Sequence, residues 1–167
     1  GRVLPKQWDS MEYARFTLLC TLLGGYFGSR LMRNLREDKG YTYGIYSRLH
    51  LYRGLTVFNI SADVAAGAAD AAEREICIEL QRLIETPVGE EELTLVKTVL
   101  TGDFMRSVDG VFERSLRFTD MMGIDADDRL TDNLRQAVFT TTPQHIQELA
   151  ARCLRSDQLW FCRAGAL

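Results

Sequence analysis

Leu22-Leu23-Gly24-Gly25-Tyr26-Phe27-Gly28-Ser29-Arg30-Leu31, followed by Leu35-Arg36-Glu37-Asp38-Lys39-Gly40-Tyr41-Thr42-Tyr43-Gly44, is the stretch on which the fold turns. It sets Arg36 and Tyr43 seven positions apart, across a helix end, a glycine turn and the start of a strand. Upstream, the apolar run Met11 to Leu23 predicts a buried helix with Asp9 or Ser10 as its N-cap, ended by Gly24 and Gly25. Ser29 is placed to cap a second short helix, Arg30 to Asp38, with Leu31, Met32 and Leu35 on one side. Gly40 suits a left-handed C-terminal cap.

Downstream, the period changes to two. Tyr41, Tyr43, Ile45, Ser47, Leu49 and Leu51 are expected on one face of a strand. Arg53-Gly54 marks a turn, and Leu55 to Val64 is rich in strand-forming residues, so the pair reads as an antiparallel hairpin. Helical spacing returns at Ala72, Ile76, Leu80 and Leu83, breaks at Thr86-Pro87-Val88-Gly89, and resumes with Leu93, Val96, Leu100 and Phe104 behind Glu90-Glu91-Glu92. Further helices are expected over Val111 to Met122, over Leu130 to Val138, and from Thr142-Pro143 to about Arg152, with a closing strand from Leu159 to Arg163. This order predicts one α+β domain over residues 1–167, an antiparallel sheet with helices packed on one face. Val3-Leu4 reads as the tail of a strand whose body is missing. The expectation is therefore a piece of a longer chain.

Composition narrows the function. The chain of 167 residues has 46% hydrophobic and 26% charged residues, as ordinary globular domains do, and a net charge of -3. Phosphate binding needs a basic surface, so nucleic acid is not an expected partner. No apolar run is long enough for a membrane span. Cys20, Cys77, Cys153 and Cys162 contain no C-x-x-C pair and read as buried free thiols in preference to disulfides. The compartment stays open between cytoplasm and periplasm.

Motifs for self-contained chemistry are missing from the sequence. The glycine run lacks the Gly-Lys-Ser/Thr of a phosphate loop and follows a helix, where a dinucleotide fingerprint would follow a strand. A tight helix-to-helix turn with close backbone approach explains it better. His50 and His145 have no second ligand at metal-binding spacing and read as surface residues, so no metal site is expected in this chain. No G-x-S-x-G elbow occurs.

Taken together, the glycine run, Ser29-Arg30-Leu31, Leu35-Arg36-Glu37 and Gly40-Tyr41-Thr42-Tyr43 resemble the C-terminal, non-zinc homologous domain of the pitrilysin/insulinase/mitochondrial-processing-peptidase family of zinc metallopeptidases. Weaker likenesses follow at Pro87 with Glu90 to Leu93, at Ser107 to Phe112, and from Thr142 to Gly165. The resemblance implies half of a clamshell. A partner N-terminal-type domain, in the same longer chain or another subunit, would carry H-x-x-E-H and the zinc; this half would supply Arg36 and Tyr43 for substrate binding and oxyanion stabilisation. Gly24, Gly25 and Gly28 would form a loop near the interface and the substrate, which would be an unfolded peptide. A dimer is compatible with this. No H-x-x-E-H occurs here, so the domain is expected to be inactive alone, and Glu73, Glu75 and Glu79 read as helix-surface acids. The rival expectation is a non-catalytic structural or peptide-binding subunit of the same fold.

Overall fold

The computed structural model describes residues 1–4, 10–52, 54–65, 67–112, 115, 119 and 129–165. Three antiparallel strands, β1 (Arg2–Leu4), β2 (Thr42–Tyr52) and β3 (Leu55–Val64), form a sheet of order β1-β3-β2. The hairpin is as expected, with Tyr52 paired to Leu55 and Gly54 at φ +73° in the turn. Val3-Leu4 does lie in a strand, with Val3 opposite Val57.

Helix α1 (Ser10–Gly24) is buried on nearly every side, because β2 and the helices α3 (Glu90–Val108), α4 (Arg129–Thr140) and α5 (Pro143–Cys153) all pack against it. Phe16 of α1 meets Phe58 of β3 edge-on, with ring centroids 5.4 Å apart, and this pair joins the helical layer to the sheet. Helix α2 (Ala69–Glu85) turns Ala72, Leu80 and Leu83 inward and packs on α5. Three glutamates open α3, where the positive end of the helix dipole favours them. Thr142 caps α5 as expected. Its hydroxyl accepts from the His145 N–H while His145 Nδ1 accepts from the Thr142 N–H, so His145 completes a capping box. Among the described residues no helix covers the other face of the sheet, and Val3, Tyr46 and Tyr52 are exposed there.

Several expectations need correction. The segment after Arg30 is not an ordinary α-helix: Met32–Asp38 is π-helical, closed by Lys39 N–H donating to Asn34 O. Burying Leu31, Met32 and Leu35 together against the core favours the wider turn. Gly40 follows at φ +64°, the expected left-handed cap. The alternation of β2 breaks near its start. Thr42 pairs with Val64 and Ile45 with Ala62, so a bulge lies between them; Thr42 is buried and Tyr43 is 96% exposed, off the face of Ile45. Residues 159–163 form no strand; among the described residues it is Gly1 that exchanges backbone hydrogen bonds with Trp160. Glu79 is no surface acid: α2 presses it against the π-helix, where Asn34 and Arg82 donate to it. All four cysteines are free, but only Cys20 and Cys153 are buried, and Cys162 is exposed. Helix α4 extends beyond the expected Leu130 to Val138 at both ends. The helix expected over Val111 to Met122 lies largely outside the described residues, as does Asp9.

Candidate functional site

Two unusual backbone features carry the two candidate side chains. Arg36 projects from the π-helix, and its guanidinium carbon lies 4.5 Å from the ring centroid of Phe27 in the glycine loop. Tyr43 stands on the bulge that opens β2. The bulge is locked from within by Thr42, whose hydroxyl donates to Gly44 O at 2.7 Å or Asp63 O at 2.6 Å and accepts the Gly44 N–H at 3.0 Å. Anchoring Thr42 inward turns its neighbour outward, which is why Tyr43 presents its whole side chain to solvent.

The glycines act mainly through their size. A Cβ on Gly24 would lie 2.7 Å from Ser47 N, and one on Gly25 2.5 Å from Thr21 Cα. Gly24 is buried and sets the approach of α1 to β2, while Gly25 and the large side chain of Phe27 are exposed in the loop. A Cβ on Gly28 would meet the Tyr26 ring at 3.1 Å.

Behind the π-helix lies a cleft of about 720 Å³, lined by charged groups of the π-helix, α2 and the start of α3. Arg30 makes a bidentate pair with Glu92, at 2.8 and 2.7 Å. That hydrogen-bonded pairing raises the Arg30 pKa, with burial acting against it. The Asn34 amide reaches both Glu75 and Glu79, and Lys39 pairs with Glu75 at 3.2 Å. Burial alone would raise the Glu75 carboxyl, but Asn34, Lys39 and Arg82 together hold it below its ordinary value. Tyr26 at the rim is pushed up by burial and then by the charge of Glu92. This network ties the π-helix to two other helices and so fixes the base from which Arg36 projects.

Arg36, Phe27 and Tyr43 thus occupy exposed or half-exposed positions at the end of the sheet where the π-helix enters β2. Phe27, Thr42 and Gly44 escaped the sequence reading; the aromatic beside a glycine loop was the signal for Phe27, whereas nothing in the alternation announced the bulge. His50 sits farther along β2, with Nε2 2.9 Å from Asn59 Oδ1. Among the described residues no three His, Cys, Asp or Glu side chains gather as metal ligands. Among the same residues no helix is long and apolar enough to cross a membrane.

The described sheet is thus backed by helices, with Arg36 half-exposed and Tyr43 exposed where the π-helix meets β2. Residues 1–100 match the family described as the peptidase M16 inactive domain, and the chain belongs to that family. Solved structures share the fold. A protease from Helicobacter pylori superposes with a TM-score of 0.82 at 20% identity, over 93% of this chain and 38% of that one. A peptidase M16 inactive domain from Pseudomonas fluorescens gives 0.73 at 24% identity, over 88% and 35%. The inactive peptidase domain of a candidate zinc protease from Bordetella parapertussis gives 0.75 at 19% identity, over 94% and 85%. The chain thus spans little more than a third of the first two. No curated protein matches it.

Proposed function

We propose that this chain is the substrate-holding, transition-state-assisting half of a zinc peptidase that hydrolyses peptides, and that it is inactive alone. Its partner would be an N-terminal-type domain with H-x-x-E-H, in the same longer chain or a separate subunit. There a zinc ion would supply the activated water. The observation that carries the reading is the placement of Tyr43, 96% exposed on a bulge beside the segment that bears Arg36. A tyrosine turned wholly outward from a strand contributes little to packing, and its hydroxyl is free to donate to a developing oxyanion. Arg36, stacked on Phe27, keeps the edge of its fork for a peptide carbonyl or carboxylate. The π-helix supports the same reading, since such turns concentrate at functional sites. Gly24, Gly25 and Gly28 would serve by setting where Phe27 meets the partner half.

The test is peptide hydrolysis by the full-length protein or complex that contains this chain, with and without zinc. Cleavage abolished by chelator is expected. Tyr43→Phe should lower turnover roughly ten- to a thousandfold, the scale of one lost oxyanion donor. Its stability should stay within about 0.5 kcal/mol of the parent, as for exposed sites generally. An unchanged rate removes Tyr43 from the mechanism. An intact assembly that binds peptides and never cuts them would make the domain a peptide-binding scaffold.

A further inference from the structure

The exposed row that begins at Tyr43 continues along β2. A Cβ on Gly44 would stand 3.0 Å from the Tyr46 hydroxyl, so the Tyr46 ring leans back along the strand toward the bulge that carries Tyr43. The guanidinium carbon of Arg48, two residues on, lies 5.3 Å from the centroid of that ring. This repeats the arrangement of Arg36 over Phe27. Both arginines hold their guanidinium carbons over aromatic rings, and among the described residues neither has a carboxylate partner. Arg30, Arg82 and Arg163, by contrast, are all ion-paired. The positions paired with Tyr46, Arg48 and His50 are Ser61, Asn59 and Val57, none of them acidic. The hairpin's one acid, Asp63, is exposed beyond Ser61 toward the bulge and forms no ion pair with Arg48.

A guanidinium stacked on a ring is held in orientation at little entropic cost, and its in-plane N–H fork remains open to a planar anion. Two such groups flank Tyr43 in sequence, one on the π-helix and one on β2. An extended peptide crossing Tyr43 along β2 would bring its flanking side chains to Arg48, about 7 Å along the strand from Tyr46.

We infer that Arg48, held on Tyr46, is a carboxylate-binding subsite that extends the peptide site along β2 and gives it a preference for acidic peptides. The inference rests on the peptide-binding reading above. The carboxylate can be an interior Asp or Glu side chain or a free C-terminus, and the two sources are separable.

The experiment is fluorescence-anisotropy binding to the full protein that contains this chain. Four labelled dodecapeptides would differ only in one interior residue, Glu or Gln, and in the terminus, acid or amide. The interior Glu or the free acid should tighten binding about fivefold over the neutral, amidated peptide, the upper range for an exposed ion pair. The gain should shrink as salt is raised. Arg48→Gln should bring that ratio to about one, and Arg48→Lys should leave it between the two, because charge returns without the fork. Whichever of the two carboxylates produces the gain identifies the source. Equal binding of all four peptides overturns the inference and leaves the peptide-binding reading standing, as does a preference that survives Arg48→Gln. Failure of every peptide to bind removes both.

Discussion

Gly24→Ala is the sharpest test of how the glycine run shapes the domain. The added methyl carbon would lie 2.7 Å from Ser47 N and 2.9 Å from Ser47 Cβ, against an ordinary contact of 3.4 Å or more. Its nearest obstacle is backbone, which has no rotamer to turn away. Helix α1 and strand β2 would have to part by roughly half an ångström or more, at the junction where Leu23 and Ile45 are both fully buried. Overpacking of this kind costs about 1–3 kcal/mol. The helix-propensity gain of alanine over glycine, about 1 kcal/mol in a helix interior, is smaller at a terminal residue. A net loss of about 1–2 kcal/mol is expected, a drop of roughly 1 M in the urea midpoint at unchanged slope. Gly102→Ala is the matched control. It lies inside α3, where its Cβ would meet only an arginine tip at 3.7 Å, so the same change should stabilise by about 0.5–1 kcal/mol. If Gly24→Ala left the midpoint where it was, the close-approach argument for the glycine run would be wrong.

Other expectations test the supports of the site. Glu92→Gln should cost about 1–2 kcal/mol by weakening the bidentate grip on Arg30, and a double-mutant cycle with Arg30→Gln should recover most of that as coupling, since the pair is largely shielded from solvent. Thr142→Ala should lose about 1 kcal/mol with its capping box, readable in thermal unfolding. Burial pushes the Cys20 thiol up to about 12 and keeps it protonated in the fold, with a smaller contrary effect from the neighbouring Ser47. The folded pKa lies above the unfolded one, so stability is full below the unfolded value and falls as pH rises toward 12; Cys20→Ala should flatten that alkaline limb. In the native protein Cys162 should react with a thiol reagent long before Cys20.

Much of this architecture follows from local pattern. The period-two run from Ile45 onward, the turn at Gly54 and the Thr142-Pro143 helix start are each settled by a few neighbouring residues, and the structure has them where the sequence puts them. What the pattern misses depends on partners far along the chain. Tyr43 leaves its expected face because Thr42 is tied to Asp63, twenty-one residues away, and alternation cannot register such a bond. The π-helix arises from packing against the core, while its residues read locally as an ordinary helix. Glu79 did give a signal: it falls between Ile76 and Leu83, on the stripe that α2 buries, and its charge masked its position. Of the candidate site, Arg36 and Tyr43 were legible only through resemblance to a family. The stacking of Arg36 on Phe27 and of Arg48 on Tyr46 required coordinates.

The π-helix ties the direction of Arg36 to the length of the segment that carries it. A π-turn is an α-turn with one residue added, held open by the bond from Lys39 to Asn34. Removing a single residue between Ser29 and Arg36 would let an ordinary α-helix close, turning the downstream residues by about 100° and drawing them back about 1.5 Å. Arg36 would then swing off Phe27, although every residue type in the site had been kept. Under the role proposed for Arg36, spacing matters as much as residue type, and a one-residue deletion here should lower peptide hydrolysis by the full protein as much as replacing the arginine does.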